Sequence, residues 1–352
     1  MAKSENHLTL CFPGLLASQR VQEGLAQLKK TELVKLQTLL SKADYHFPKK
    51  RCHEDLTAYL FHQQKAPSSA ITRANGLCDL SDDELSEYWV SIDPVQMIPD
   101  RDTLILIPSA DIGITEEESK ALLENFNQHF SQDGLKLIFG DAHQWFLSIK
   151  QPVAIETTPL YQVAYQSVNN HYPEGPAGNY WRQLMNETQM LFYNHEVNHQ
   201  RRLLNLPEIN SVWVWGEGGI DLDKINQRNN AVLLSNSDYS KGLAKFSGAE
   251  FAATPKSFKA CRNQILSSHH TLIEFNDQTF SGVSLEQMTL EQWLDLLCFL
   301  EKNWFEPVFE SVKNKELDSV LLELGANKQF LITSKTLKRF WRWKKSWLAI
   351  SN

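Results

Sequence analysis

Two histidines and a glutamate stand close together in the stretch NHEVNHQ, as His195, Glu196 and His199. On a helix, positions i and i+4 share one face. Both imidazoles could then reach one zinc ion while Glu196 acts as base on the metal-bound water. Such a site needs a third protein ligand. The Gly and His of the extended zinc-peptidase motif are missing, since Arg202 and Asn205 occupy those places. The downstream acid at a useful distance, Glu217, follows Pro207 and a buried-type strand instead of lying on a ligand-bearing helix. The pentapeptide is therefore expected to be the last turn of a helix with partly exposed histidines, and no metal is expected.

Three further stretches carry residues fit for chemistry. WVWGEGG (213–219) places Trp215, Glu217 and Gly218 at the end of a strand. That is where α/β proteins hold ligands, and it is equally a tight turn that only glycine can make. TLKRFWRWKK (336–345) mixes Lys338, Arg339, Arg342, Lys344 and Lys345 with Phe340, Trp341 and Trp343. Basic residues among aromatics suit single-stranded nucleic acid or a phosphate-bearing ligand. Because the chain as a whole is acidic, the expected arrangement has the aromatics docked on the core and the charges solvated. Lys338, Arg339 and Arg342 remain the best candidates for an anion contact. His269 and His270 are adjacent, so on a strand they face opposite sides and cannot share one metal. They read as the entry to a strand.

The elements that must position these residues follow from patterning. The chain has 352 residues, 42% hydrophobic and 22% charged, with net charge −7 and a pI near 5.9. One large α/β domain or two smaller ones fit that length. Neither nucleic acid nor a membrane is expected as a partner, since a global attraction to polyanions needs a basic chain. Five scattered cysteines without CxxC spacing fit reduced thiols in the cytoplasm. HLTLCFPGLL reads as a first strand ended by Pro13 and Gly14. Ser81 with Glu84, and Thr115 ahead of an acidic first turn, mark helix starts. YWVSID, DTLILI, LKLIFG and QWFLSI read as strands around the helix that Thr115 opens, a small α+β subdomain over 88–150. Residues 178–206 read as one long helix stopped by Pro207, followed by the strand NSVWVWG. From 156 onward strands and helices alternate, which argues for a mainly parallel sheet with helices on both faces.

On these motifs the chain resembles the cofactor-independent phosphoglycerate mutases of the archaeal type, within the alkaline-phosphatase superfamily. Their pattern His-x-Val-Asn, then Arg, then Pro and Asn, then a strand ending in a glycine turn, is matched by His195, Val197, Asn198, Arg201 or Arg202, Pro207, Asn210, Trp213, Gly216 and Gly218. VLLSNSDYSKGLAKFSG is similar to the strand and following helix of those proteins. The chain also resembles bacterial proteins of the regulatory protein RpfE type. That likeness rests on DPV (93–95), TTPL (157–160), NETQML (186–191), WVWGEG (213–218), WFEP (304–307) and LKRFWR (337–342).

The resemblance implies an alkaline-phosphatase-like core, over 1–87 and 156–352, with a cap-like α+β subdomain inserted at 88–150. His195, Asn198, Arg202 and Asn210 then become structural residues of the motif. It also implies two divalent metals held by Asp and His at strand ends, beside an activated hydroxyl. Those residues are not in place here. The first strand ends in CFPGLL, the late strand continues as EFNDQTFSG with Glu274 and Asp277 but no histidine, and the last strand ends in ITSKT. Gln144 and Trp145 stand where a cap arginine is expected. No cofactor is expected, and no catalytic residue is assigned. The reading is a non-catalytic, mutase-like cytoplasmic protein that binds an unknown protein partner or small ligand in a regulatory role. Trp215, Glu217, Gly218, Asp277, Lys338, Arg339 and Arg342 are its candidate ligand residues. The alternatives are a divergent mutase or phosphohydrolase, and a zinc hydrolase acting through HEVNH. The three loops Gly216–Gly219, Ser235–Asp238 and 276–282 are expected to line one common pocket beyond the strand C-termini, with Trp215 or a cap aromatic such as Trp145 at its edge.

Overall fold

The computed structural model describes residues 5–24, 33–47, 49, 51–276, 279–280, 285, 287–325 and 328–351. Asp277 lies outside them. The described strands are, in chain order, β1 (His7–Cys11), β2 (Asp44–His46), β3 (Tyr88–Asp100), β4 (Thr103–Pro108), β5 (Leu137–Asp141), β6 (Gln144–Ile149), β7 (Ser211–Gly218), β8 (Ala231–Leu234), β9 (Glu250–Ala252), β10 (His270–Glu274), β11 (Ser319–Glu323) and β12 (Gln329–Thr333). They divide between two compact units, one made of 1–65 with 225–352 and the other of 66–224.

The first unit is built on a seven-stranded sheet in the order β2-β12-β11-β1-β10-β8-β9. Its five strands β11, β1, β10, β8 and β9 run parallel; β12 pairs antiparallel with β11, and β2 pairs antiparallel with β12 at that edge. The alternation of the pleat sorts side chains between the two faces. Leu8, Leu10 and Phe12 point into the larger hydrophobic cluster, beside Trp293, Trp304 and Val308 of the helices after residue 289. Thr9 and Cys11 point the other way, toward the helices His53–Leu60 and Asp238–Ser247. The helix starting at Leu290 is opened by a capping box of Thr289 and Gln292. It widens into a π-type turn over Glu301–Phe305 and resumes from Glu306, with Pro307 in its first turn. A proline there has no N–H to lose to the ladder.

The second unit carries a five-stranded antiparallel sheet. The long β3 pairs with β4, β6 and β7, and β5 pairs with β6. Here the structure corrects one expectation. Strand β7 belongs to this sheet, with Asp93 opposite Trp213, and not to the parallel one. A strand buried on both faces is apolar throughout in either kind of sheet, so its composition does not reveal its partner. The unit spans 66–224, and β7 and the helix Gly178–Tyr193 pack into its core. The helix Ser69–Leu77 belongs to it as well.

Residues 178–206 do not form one helix. The helix Gly178–Tyr193 stops, and a second begins at Glu196 and ends at Leu203. His195 sits between them in extended backbone as the N-cap, its Nδ1 accepting the N–H of Val197 at 3.2 Å.

Candidate functional site

The break at His195 removes the helical i, i+4 relation that a zinc site requires. His199 lies on the exposed face, 3.8 Å from the Glu196 carboxylate. The neighbours on the inner face make the contacts that matter. Asn198 is fully buried, donates to the carbonyls of Phe192 (2.9 Å) and Ile209 (2.8 Å), and accepts the Ile209 N–H at 2.9 Å. It ties both helices to the start of β7. Asn210 reaches across to the Met97 backbone with both ends of its amide. Arg202 is partly exposed and pairs with Glu208 at 2.6 Å. The buried arginine is Arg201, 1% exposed, which donates to the Pro207 and Ile112 carbonyls and to Glu118 Oε2 at 2.7 Å. Glu118 also closes the capping box of Thr115. The motif is thus a structural clasp, with Arg201 in the place the sequence analysis gave to Arg202.

The glycine turn is a clasp too. Glu217 accepts the Thr157 N–H at 3.2 Å and its hydroxyl, and the same Thr157 oxygen accepts the Gly216 N–H at 3.1 Å. Trp213 Nε1 donates to the Thr158 carbonyl at 2.9 Å. The TTPL and WVWGEG motifs therefore dock on one another. Gly216 and Gly218 both have positive φ, and a Cβ on either would lie about 3 Å from the Ser69 or Ser68 side chain. Close approach of that helix start explains the glycines.

Trp215 is buried, and its Nε1 donates to Asp93 Oδ2 at 2.8 Å. The guanidinium of Arg73 stacks 4.3 Å over its ring, lies 3.6 Å from Asp93 and donates to Gln144. Burial raises the Asp93 pKa against the opposing pull of Arg73 and of the Trp215 bond. Trp145 is likewise buried and donates to Ser119. Arg73 escaped the sequence analysis. The signal for it was a serine cap at Ser68 ahead of apolar Ile71 and Ala74.

The parallel sheet of the first unit has its own row of polar groups. Cys11 is in register with Glu274 on one side and with Glu323 on the other, all three at strand C-termini and buried. The Glu274 carboxylate accepts the hydroxyls of Thr57 and Ser240, and its carbonyl accepts that of Thr254 at 2.8 Å. Glu323 accepts the Gly325 N–H at 3.1 Å. Burial, and then the two carboxylates, push the Cys11 thiol well above the ordinary thiol range. One residue further along, Phe12 and Phe275 turn to the opposite face and meet at 5.7 Å, with Trp304 4.9 Å from Phe275. Among the described residues, no group of three or more His, Cys, Asp or Glu side chains is placed to hold a metal ion. Gly216–Gly219 follow the antiparallel sheet of one unit and Ser235–Asp238 the parallel sheet of the other, while much of 276–282 lies outside the described residues.

Lys338, Arg339 and Arg342 lie in the first unit. Arg339 and Arg342 both grip Asp44, and Arg342 also donates to the Lys42 and Ala43 carbonyls. The Asp44 carboxyl is held below its usual range, chiefly by the Arg339 bond. The aromatics of this segment are not docked on the core as expected. Phe340, Trp341 and Trp343 are 84%, 62% and 85% exposed.

No protein-family model matches the chain. It is 24% identical over 143 residues to the 2,3-bisphosphoglycerate-independent phosphoglycerate mutase of Methanosarcina barkeri, and 22% identical over the same length to that of Methanosarcina mazei. Each match covers 39% of this chain and only 36% of the relative. Among solved structures, the cofactor-independent phosphoglycerate mutase of Thermoplasma acidophilum aligns with 99% of the chain and 95% of its own, at TM-score 0.51 and 12% identity. A Pyrococcus horikoshii protein aligns with 94% of the chain and 88% of its own, at TM-score 0.58 and 10% identity. The chain is therefore weakly homologous to the cofactor-independent phosphoglycerate mutases and folds as they do.

Proposed function

We propose that this protein is a mutase-like protein without phosphoryl-transfer activity, related to the regulatory RpfE type, that works in the cytoplasm by binding a protein partner or small ligand. In this reading the unit of 66–224 is the counterpart of the inserted cap. The observation that carries it is the row Cys11, Glu274 and Glu323. Phosphoryl transfer between two divalent ions needs several carboxylates and histidines free to coordinate. The strand ends here offer a protonated thiol and two carboxylates already bonded to hydroxyls and backbone, which do not fit such a pair.

The test is a coupled assay for interconversion of 3- and 2-phosphoglycerate with added Mn²⁺ or Mg²⁺, together with metal analysis of the purified protein. No turnover and no stoichiometric metal are expected. A turnover above roughly 1 s⁻¹, the low end for working enzymes, would restore the catalytic reading.

A further inference from the structure

We propose that the segment from Lys335 to Lys345 is a docking surface for anionic lipid bilayers. The chain's acidic net charge rules out a global attraction to polyanions, but the charge is segregated. From Leu324 onward there are seven basic residues and no acid, against −7 for the whole chain. Within that stretch the two arginines act as pins. Both clamp Asp44, while the Lys345 N–H bonds Ser41 and Gln37 donates to the Lys345 carbonyl. The backbone is held on the helix Val34–Lys42 and on β2, and Phe340, Trp341 and Trp343 are left in water. Exposed Tyr45 on β2 and Phe47 just after it meet edge-on, and Lys345 of the segment lies 4.8 Å over Tyr45. Water-exposed indoles flanked by cations match the headgroup region, where amphipathic rings and lysines both find partners.

Three features favour a bilayer over nucleic acid. The guanidiniums that would grip phosphates bidentately are used on Asp44. The exposed cations Lys335, Lys338 and Lys344 are compact charges suited to a diffuse anionic surface. Phe340 and Trp341 meet edge-on at 85°, a wedge and not a pair of parallel platforms for successive bases.

The experiment is flotation of the full chain with vesicles of phosphatidylcholine and phosphatidylglycerol in equal parts, and with phosphatidylcholine alone. Binding to the anionic vesicles only is expected, with a blue shift of tryptophan emission. Changing Phe340, Trp341 and Trp343 together to Ser should weaken binding at least ten-fold. Lys338→Glu with Lys344→Glu should do the same, since each cation near an anionic surface contributes about five-fold. These side chains are exposed, so thermal unfolding should be unchanged in both variants. The proposal is overturned if the wild type does not float with anionic vesicles or if both variants bind as well as it does. It is overturned equally if oligo-dT binds through this segment while vesicles do not, or if the substitutions only dissociate a dimer seen by size-exclusion chromatography.

Discussion

Replacing His270 by Gln should flatten the response of stability to acid. His270 is buried at the start of β10, its Nε2 3.1 Å from the Thr9 hydroxyl and its Nδ1 3.2 Å from Arg228 Nη2. The guanidinium can only donate, so Nδ1 accepts and Nε2 carries the proton. A second proton on Nδ1 would face Arg228 and the ring of His62, 4.7 Å away. Burial first, then His62, Arg228 and His7, lower the His270 pKa to about 3. An unfolded histidine titrates near ~6.5. Below that value the unfolded chain binds a proton that the folded one refuses. The stability is therefore complete above about pH 6.5 and is lost as pH falls toward about 3. Between about pH 7 and about pH 5 the loss is about 2 kcal/mol, and it hardly changes if the folded value is a unit higher. Gln keeps both bonds, with its amide donating to Thr9 and its carbonyl accepting from Arg228. His62 is lowered in the same direction, chiefly by burial, and remains in both proteins. Urea unfolding at the two pH values, followed by circular dichroism, should show the wild type losing about 2 kcal/mol more than His270→Gln. Equal losses within about 0.5 kcal/mol would refute the argument.

The remaining predictions concern the clasps and the thiols. Arg201→Leu should cost about 3–5 kcal/mol, because Glu118 and two carbonyls lose a buried cation. Arg202→Ala, at the partly exposed pair with Glu208, should cost at most about 1 kcal/mol. Denaturant midpoints of the two variants give the comparison, and a similar cost for both would reverse the assignment. Asn198→Ala should cost about 3 kcal/mol in the same measurement, since three buried backbone groups lose their partner. Cys11 and Cys261 should resist iodoacetamide at neutral pH until the protein unfolds. Burial pushes the first thiol well above its usual range and the second up to about 12. Peptide mass spectrometry of the labelled native protein would detect early modification at either position.

Much of the local structure was legible because it is set by neighbours in the chain. Thr115 with Glu118 and Ser81 with Glu84 close their capping boxes where the residues call for them. Gly248 ends the helix Asp238–Ser247 in left-handed backbone, which the sequence KFSG announces. The fit of His195 to the His-x-Val-Asn pattern led the stretch to be read as something other than a zinc site, and in the structure His195 is a helix N-cap. The break at His195 itself was not read, since no Pro or Gly marks it: the apolar face of Gly178–Tyr193 ends at Phe192, and the second helix buries the polar Asn198 and Arg201, whose partners lie elsewhere in the chain.

What pairs with what was decided by the tertiary structure. SVWVWGEG is apolar enough for either sheet, and only its antiparallel match to β3 assigns it. The fate of each charge also depended on partners far away in the chain. Glu217 is consumed by Thr157, Glu274 by Thr57 and Ser240, and Arg339 by Asp44. Composition showed that the carboxylates and arginines were present, but not which of them the fold would bury. Whether a given side chain is buried and satisfied or left in water, as Trp215 and Trp343 are, follows from which surfaces the fold brings together. Burial energy depends on contacts across the chain and leaves no local trace in the sequence.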